Sequence, residues 1–160
     1  MKKSIFFVIC GVITVAIASN TSYKQQTIIP LLKNWLNDKP LEGWLSQFEI
    51  NYWGTIISVD SRGYYYFIEF LVRKGTHFFG YGLLALLFYW LYKKLSWRFS
   101  GLLALFTITV IASLDEYRQS MIPGRTGIIT DVYIDACGGI TLLLLIKCIL
   151  GFRRLWLQKG

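Results

Sequence analysis

Residues 113–139 read Ser-Leu-Asp-Glu-Tyr-Arg-Gln-Ser-Met-Ile-Pro-Gly-Arg-Thr-Gly-Ile-Ile-Thr-Asp-Val-Tyr-Ile-Asp-Ala-Cys-Gly-Gly. An apolar run (Gly101 to Leu114) enters this stretch, and another (Ile140 to Ile146) leaves it. Between them lie Asp115, Glu116, Arg118, Gln119, Arg125, Asp131 and Asp135. Flanks of this kind suit lipid better than water. Ionisable groups at a membrane boundary are costly unless they pair, reach water or bind something, so they mark function.

Working outward, the whole chain has the composition of a membrane protein. Of its 160 residues 54% are hydrophobic and only 16% charged, where a soluble domain carries about 25% charge. Four apolar segments can be drawn: about Ile5 to Ala18, Arg73 to Tyr92, Ser100 to Leu114, and Ile128 to Gly151. A bilayer core takes roughly 20 helical residues, and a helix satisfies its own backbone in lipid. The expected fold is therefore all-α, a polytopic membrane bundle of four transmembrane helices in one domain, 1–160. Residues 1–19 form the first span, with a signal peptide as the alternative because Ala16-Ile17-Ala18 has the form of a cleavage site. Residues 20–69 are external, 70–151 form a three-helix core carrying the motifs, and 152–160 are a cytoplasmic tail.

The net charge of +8 is not a nucleic-acid footprint, because the basic residues sit at the ends of apolar runs and no nucleic-acid motif is present. Lys2, Lys3, Lys93, Lys94, Arg98, Lys147, Arg153, Arg154 and Lys159 fall on one side of the expected membrane, and every acidic residue falls on the other. The positive-inside rule then places both termini in the cytoplasm. Cys10, Cys137 and Cys148 all lie in apolar runs and read as packing residues, with neither a disulfide framework nor a zinc site.

In the external segment Leu31, Leu32, Trp35 and Leu36 share a helical face, as do Leu41, Trp44, Leu45 and Phe48. Short amphipathic helices at the outer interface are expected, anchoring the chain. A lid over the polar stretch is the alternative.

Candidate site residues come from all three later spans. Lys74, His77 and Tyr81 are spaced i, i+3, i+7, on one helical face. Asp115 and Gln119 are spaced i, i+4, with Glu116 beside them, and Arg125 follows a Pro-Gly break. Asp131 and Asp135 are one turn apart and repel. In a low-dielectric site one carries a proton or both meet a cation, for which Lys74, Arg125, His77 or a divalent metal are candidates. Arg118 reads as an ordinary interfacial charge. The alternating directions of the spans bring all the candidates to the outer-leaflet level, and Gly138-Gly139 lets another helix approach closely there.

These residues, Lys74-x-x-His77-Phe78-x-x-Tyr81, Asp115-Glu116-x-x-Gln119, Arg125, and Asp131-Val132 with Gly138-Gly139, resemble the motifs of the VanZ-like family of bacterial membrane proteins. The resemblance spans about Arg73 to Ile146. It departs at Asp135, where the family commonly has Asn. It implies a multi-pass protein of the bacterial cytoplasmic membrane. The family takes its name from a member associated with resistance to a lipidated glycopeptide antibiotic.

Three functions follow as expectations. The first is binding of a membrane lipid, a lipid-linked cell-wall precursor or a lipoglycopeptide by Lys74, His77, Tyr81, Asp115, Glu116, Gln119, Arg125, Asp131 and Asp135. Lys74 and Arg125 would contact phosphate or carboxylate, and no cofactor is needed. The second is an intramembrane enzyme acting on a lipid phosphate or glycolipid. His77 would be its acid or base, and Asp115, Glu116, Asp131 and Asp135 would hold a divalent metal. The third is a proton-coupled transporter using the carboxylates. No nucleophile motif or nucleotide loop selects the enzyme.

Overall fold

A peptide group in lipid has no water to bond, so a long apolar run closes its hydrogen bonds on itself. The computed structural model describes residues 2–20, 23–122 and 127–157, and it is mostly helical. Its elements are α1 (Lys2–Ser19), α2 (Tyr23–Gln26), α3 (Ile29–Trp35), α4 (Glu42–Leu45), β1 (Ile50–Tyr52), β2 (Thr55–Ile57), α5 (Val59–Arg62), α6 (Tyr64–Lys94), α7 (Ser100–Gln119) and α8 (Ile129–Leu157). Arg125 lies outside the described residues.

Among the described residues three helices are long and apolar enough to cross a membrane: α1, α7 and α8. The second expected span lies within α6, which has 31 residues but is not one of the three. Glycine, histidine and tyrosines dilute its apolar run. The helix also starts nine residues before Arg73, so part of the expected external segment is the first turns of α6. Likewise α8 continues to Leu157, which makes most of the expected tail helical.

α6 is the central element, packing on α1, α7 and above all α8. The α6–α8 crossing brings backbone to backbone. A Cβ on Gly138 would stand 2.0 Å from the Phe78 carbonyl oxygen, and one on Gly82 would stand 2.9 Å from the Gly138 carbonyl oxygen. Small residues give this proximity, on which membrane helix pairs rely because lipid supplies no hydrophobic drive between helices. Fully buried Ala85, Ala104, Ile108 and Ala112 fill the α6–α7–α8 core, and Val8 of α1 joins it. Outward-facing Phe79, Leu83, Leu102, Phe106 and Leu144 leave an apolar exterior.

The segment between α1 and α6, expected to be external, differs from a set of amphipathic helices. β1 and β2 form an antiparallel hairpin, Tyr52 pairing with Thr55. Its turn residues, Trp53 (φ 52°) and Gly54 (φ 74°), are both left-handed, as a two-residue hairpin turn requires. The face from Leu41 to Phe48 is broken. Leu41 caps α4 at φ 61° and the helix has four residues, so only Leu45 is buried while Leu41, Trp44 and Phe48 stay exposed. In the first face Leu32 is buried, and Leu31 and Trp35 are exposed.

A second small core joins Leu45, Ile57 and Val59 to Tyr64 and Phe67 at the start of α6. The Tyr64 hydroxyl donates to the Pro40 carbonyl at 2.9 Å, and that of Tyr65 to the Leu36 carbonyl at 3.3 Å. The tyrosine run thus ties the preceding segment down on the first turns of α6.

Candidate functional site

The polar stripe of α6 meets three aspartates in turn. Lys74 Nζ forms an ion pair with Asp131 of α8. His77 Nδ1 lies 3.2 Å from Asp135 Oδ1, one helical turn further along α8. The Tyr81 hydroxyl donates to Asp115 Oδ2 of α7 at 3.3 Å. The repulsion between Asp131 and Asp135 is thereby met by two different partners, Lys74 and His77.

The outermost layer includes a residue from the hairpin. Tyr52 hydroxyl accepts from Lys74 Nζ at 2.9 Å and donates to Asp131 Oδ1. The lysine also sits 4.4 Å from the Tyr52 ring centroid, within cation–π range. Burial, and then the bond to the Asp131 carboxylate and its charge, push the Tyr52 hydroxyl well above its ordinary pKa of 10.0. The phenol therefore stays a donor.

In the middle layer an ionised Asp135 would accept from the Nδ1–H of His77, leaving Nε2 for another partner. Asp135 is buried, and its Oδ2 has no hydrogen-bond partner among the described residues. The same holds for Glu116 Oε1. The other Glu116 oxygen accepts from the Ile128 amide at 2.9 Å, which satisfies a free N–H at the start of α8. Gly127 makes this approach possible, since a Cβ there would lie 2.3 Å from the Glu116 carbonyl oxygen.

The innermost layer is a saturated acceptor. Asp115 takes the Tyr81 hydroxyl and Gln119 Nε2 (2.8 Å) on Oδ2, and Ser19 Oγ (2.6 Å) and an Arg118 nitrogen (2.9 Å) on Oδ1. Arg118 also bonds Ser19 Oγ and, at 2.6 Å, Asn20 Oδ1. Arg118 is therefore not an ordinary interfacial charge. It joins the end of α1 to α7, and the i, i+3 spacing from Asp115 was its signal in the sequence.

Two cavities flank this stripe. The larger, about 910 Å³, is lined by Tyr52, Trp53, Arg62, Lys74, Gln119 and Asp131 among others. The smaller, about 390 Å³, lies between α1 and α6 and reaches Tyr81 and Asp115. Arg73 and His77 belong to both walls. Glu116 and Asp135 line neither and sit behind the stripe. Among the described residues no group of three or more His, Cys, Asp or Glu is arranged to hold a metal ion. Asp131, Asp135 and Asp115 face different partners instead of one another.

The VanZ/LLP1 family model matches residues 4–151. The chain belongs to the VanZ/LLP1 family. No curated protein and no solved structure matches it. Family and apolar helices together make it a membrane protein.

For this VanZ/LLP1 chain, motif reading left out four residues beside Arg118. Glu69, 1% exposed, accepts from the Ile28 amide at 2.8 Å and lies 3.6 Å from Arg73. The i, i+4 spacing of Glu69 and Arg73 was readable on the helix. Ser19 and Tyr52 left no local trace. Each arrives at the site from an element far away in sequence, and only the packing of α1 and of the hairpin on α6 delivers it.

Proposed function

We propose that this chain is a multi-pass protein of the bacterial cytoplasmic membrane, with four spans, both termini in the cytoplasm and one domain. At the outer leaflet its polar site binds the head of a lipid, a lipid-linked cell-wall precursor or a lipoglycopeptide. The carrying observation is the larger cavity. Its floor is Lys74, His77 and Asp131, its wall includes Arg62 and Arg73, and the hairpin residues Tyr52 and Trp53 stand over it. Guanidinium and ammonium groups side by side suit phosphate or carboxylate. Gln119, Tyr52 and the Asp131 carboxylate suit amide or sugar hydroxyls, and an exposed indole suits the face of a sugar ring or a lipid interface. α6 then supplies the fourth crossing, its polar stripe turned to the bundle and its Phe79 and Leu83 to lipid. The hairpin acts as a lid, and Trp35, Trp44 and Leu41 touch the interface around it.

A binding role fits better than a metal enzyme, because the carboxylates that would ligate a metal already hold Lys74, His77 and Arg118 separately. A role in resistance to a lipoglycopeptide would follow if that drug or its target occupies the cavity. The test is mass spectrometry of lipids that co-purify with the protein, comparing wild type with Lys74→Met. A phosphorylated, envelope-directed lipid held by the wild type and lost from the variant is expected. Equal lipid profiles from the two proteins would overturn the reading.

A further inference from the structure

The smaller cavity has a different chemistry from the larger one. Val15 and Ala18 of α1, Ile28, and Val72 and Gly80 of α6 give it apolar walls. Of its polar wall residues, Ser19 and Tyr81 both bond Asp115, while Gln26 and Thr76 bond the carbonyls of Ala18 and Arg73. They offer little to a polar ligand. From Val72 to Tyr81 the lining follows α6 for about 13 Å at 1.5 Å per residue, from the charged level of Arg73 toward the apolar middle of the helix. Gly80 keeps the space open. A Cβ there would meet nothing within 4 Å, so no packing neighbour calls for the glycine, and a helix interior disfavours one.

We infer that this cavity holds the apolar chain of an anionic amphiphile, whose head is gripped by Arg73 and His77 at the neck shared with the larger cavity. The inference rests on the head-binding reading above and adds a second subsite to it. Charge complementarity selects the occupant. Arg73 carries a guanidinium at the mouth, 3.6 Å from the Glu69 carboxylate, and the ring of His77, protonated on both nitrogens, would give Nδ1–H to Asp135 and Nε2–H to the head. A neutral chain with an anionic end fits this order of groups, and a wholly polar solute does not. The cavity volume, about 390 Å³, is within the range of small-ligand sites and takes part of a long chain, the remainder staying in lipid.

The test uses the full-length protein in phosphatidylcholine nanodiscs and dodecyl phosphate carrying a terminal diazirine. Photolabelled sites are mapped by mass spectrometry in wild type, Gly80→Phe and Val72→Trp. Both substitutions enlarge a lining position of the cavity and replace no charged residue, and Gly80→Phe places its Cβ where nothing lies within 4 Å. Labelling at Val15, Ala18 and Thr76, blocked by excess unlabelled dodecyl phosphate and lost in both variants, is expected. Labelling that persists in both variants, or that falls only on lipid-facing Ile13, Phe79 and Leu83, would overturn the subsite. A second readout separates this from the head site. Ethyl phosphate, too short to fill the cavity, is titrated against the fluorescence of Trp53, isolated by difference from Trp53→Phe. A saturable response with no chain labelling keeps the head site and removes the chain subsite. No response and no specific labelling removes both.

Discussion

His77 Nδ1 stands 3.2 Å from Asp135 Oδ1, one turn along α8 from the Asp131 that holds Lys74. Two carboxylates that would repel on an isolated helix are thus each given a different partner from a single face of α6. The pairing depends on how closely α6 and α8 approach, and the glycines set that distance.

Gly138→Ala is expected to be among the most damaging small substitutions in the chain. Its Cβ would fall 2.0 Å from the Phe78 carbonyl oxygen, and backbone cannot swing aside as a side chain can. A loss of at least about 1–3 kcal/mol is expected, together with separation of His77 from Asp135. Gly75→Ala is the control, because nothing lies within 4 Å of its Cβ. It should be neutral or stabilising by up to about 1 kcal/mol. Thermal unfolding in one detergent compares them, and equal melting temperatures for the two variants would contradict the close crossing.

Asp131→Asn should cost more than Asp135→Asn. The first removes the countercharge of Lys74 and turns the charge-assisted bond from Tyr52 into a neutral one, in a setting where breaking a buried pair costs about 3–5 kcal/mol; partial exposure of Lys74 places the value at the lower end. The second removes a charge whose Oδ2 has no partner among the described residues, and Asn can still accept from His77. Yield of folded protein and unfolding midpoint should rank wild type, Asp135→Asn, Asp131→Asn. The opposite order would show that His77 depends on the Asp135 charge more than Lys74 depends on that of Asp131.

The raised pKa of Tyr52 makes a signed prediction about alkaline stability. The native state keeps the phenolic proton above pH 10.0, the ordinary value, where the unfolded chain loses it. Stability from this group is fully present below that pH and falls as pH rises beyond it. Tyr52→Phe should flatten that part of the alkaline limb while lowering stability at pH 7. Unfolding midpoints from pH 8 to 12 decide it, and parallel curves for the two proteins would mean that Tyr52 is not buried against Asp131.

Topology has a direct test. In a background lacking Cys10, Cys137 and Cys148, Gln47→Cys should react with a membrane-impermeant thiol reagent on intact cells. Arg98→Cys, on the expected cytoplasmic side, should react only after lysis. Labelling of the Arg98 position with protection of Gln47 would invert the orientation.

How much of this was legible without coordinates depends on the range of each interaction. The helical face of Lys74, His77 and Tyr81, the like-charge pair Asp131 and Asp135, and the need for Gly138 are local statements, and the structure has the corresponding helices. The reading failed where a local pattern was too short to persist. The Leu41-to-Phe48 face dissolved into a four-residue helix, and the segment before α6 contains a hairpin that no alternation announced. Arg118 was passed over because its role lies in a contact with Ser19 and Asn20, about a hundred positions earlier in the chain.

The sequence by itself determined that apolar helices dominate and that a few charged residues interrupt them. Periodicity and composition suffice for that, because each helix closes its own hydrogen bonds whatever surrounds it. Only the tertiary structure decided which carboxylate each member of the α6 stripe holds, that Tyr52 completes the Lys74–Asp131 pair, and that two cavities meet at Arg73 and His77. Those outcomes hang on the crossing of α6 with α8 and on the folding of the hairpin over it. Both are set by packing between residues far apart in the chain, which no local pattern encodes.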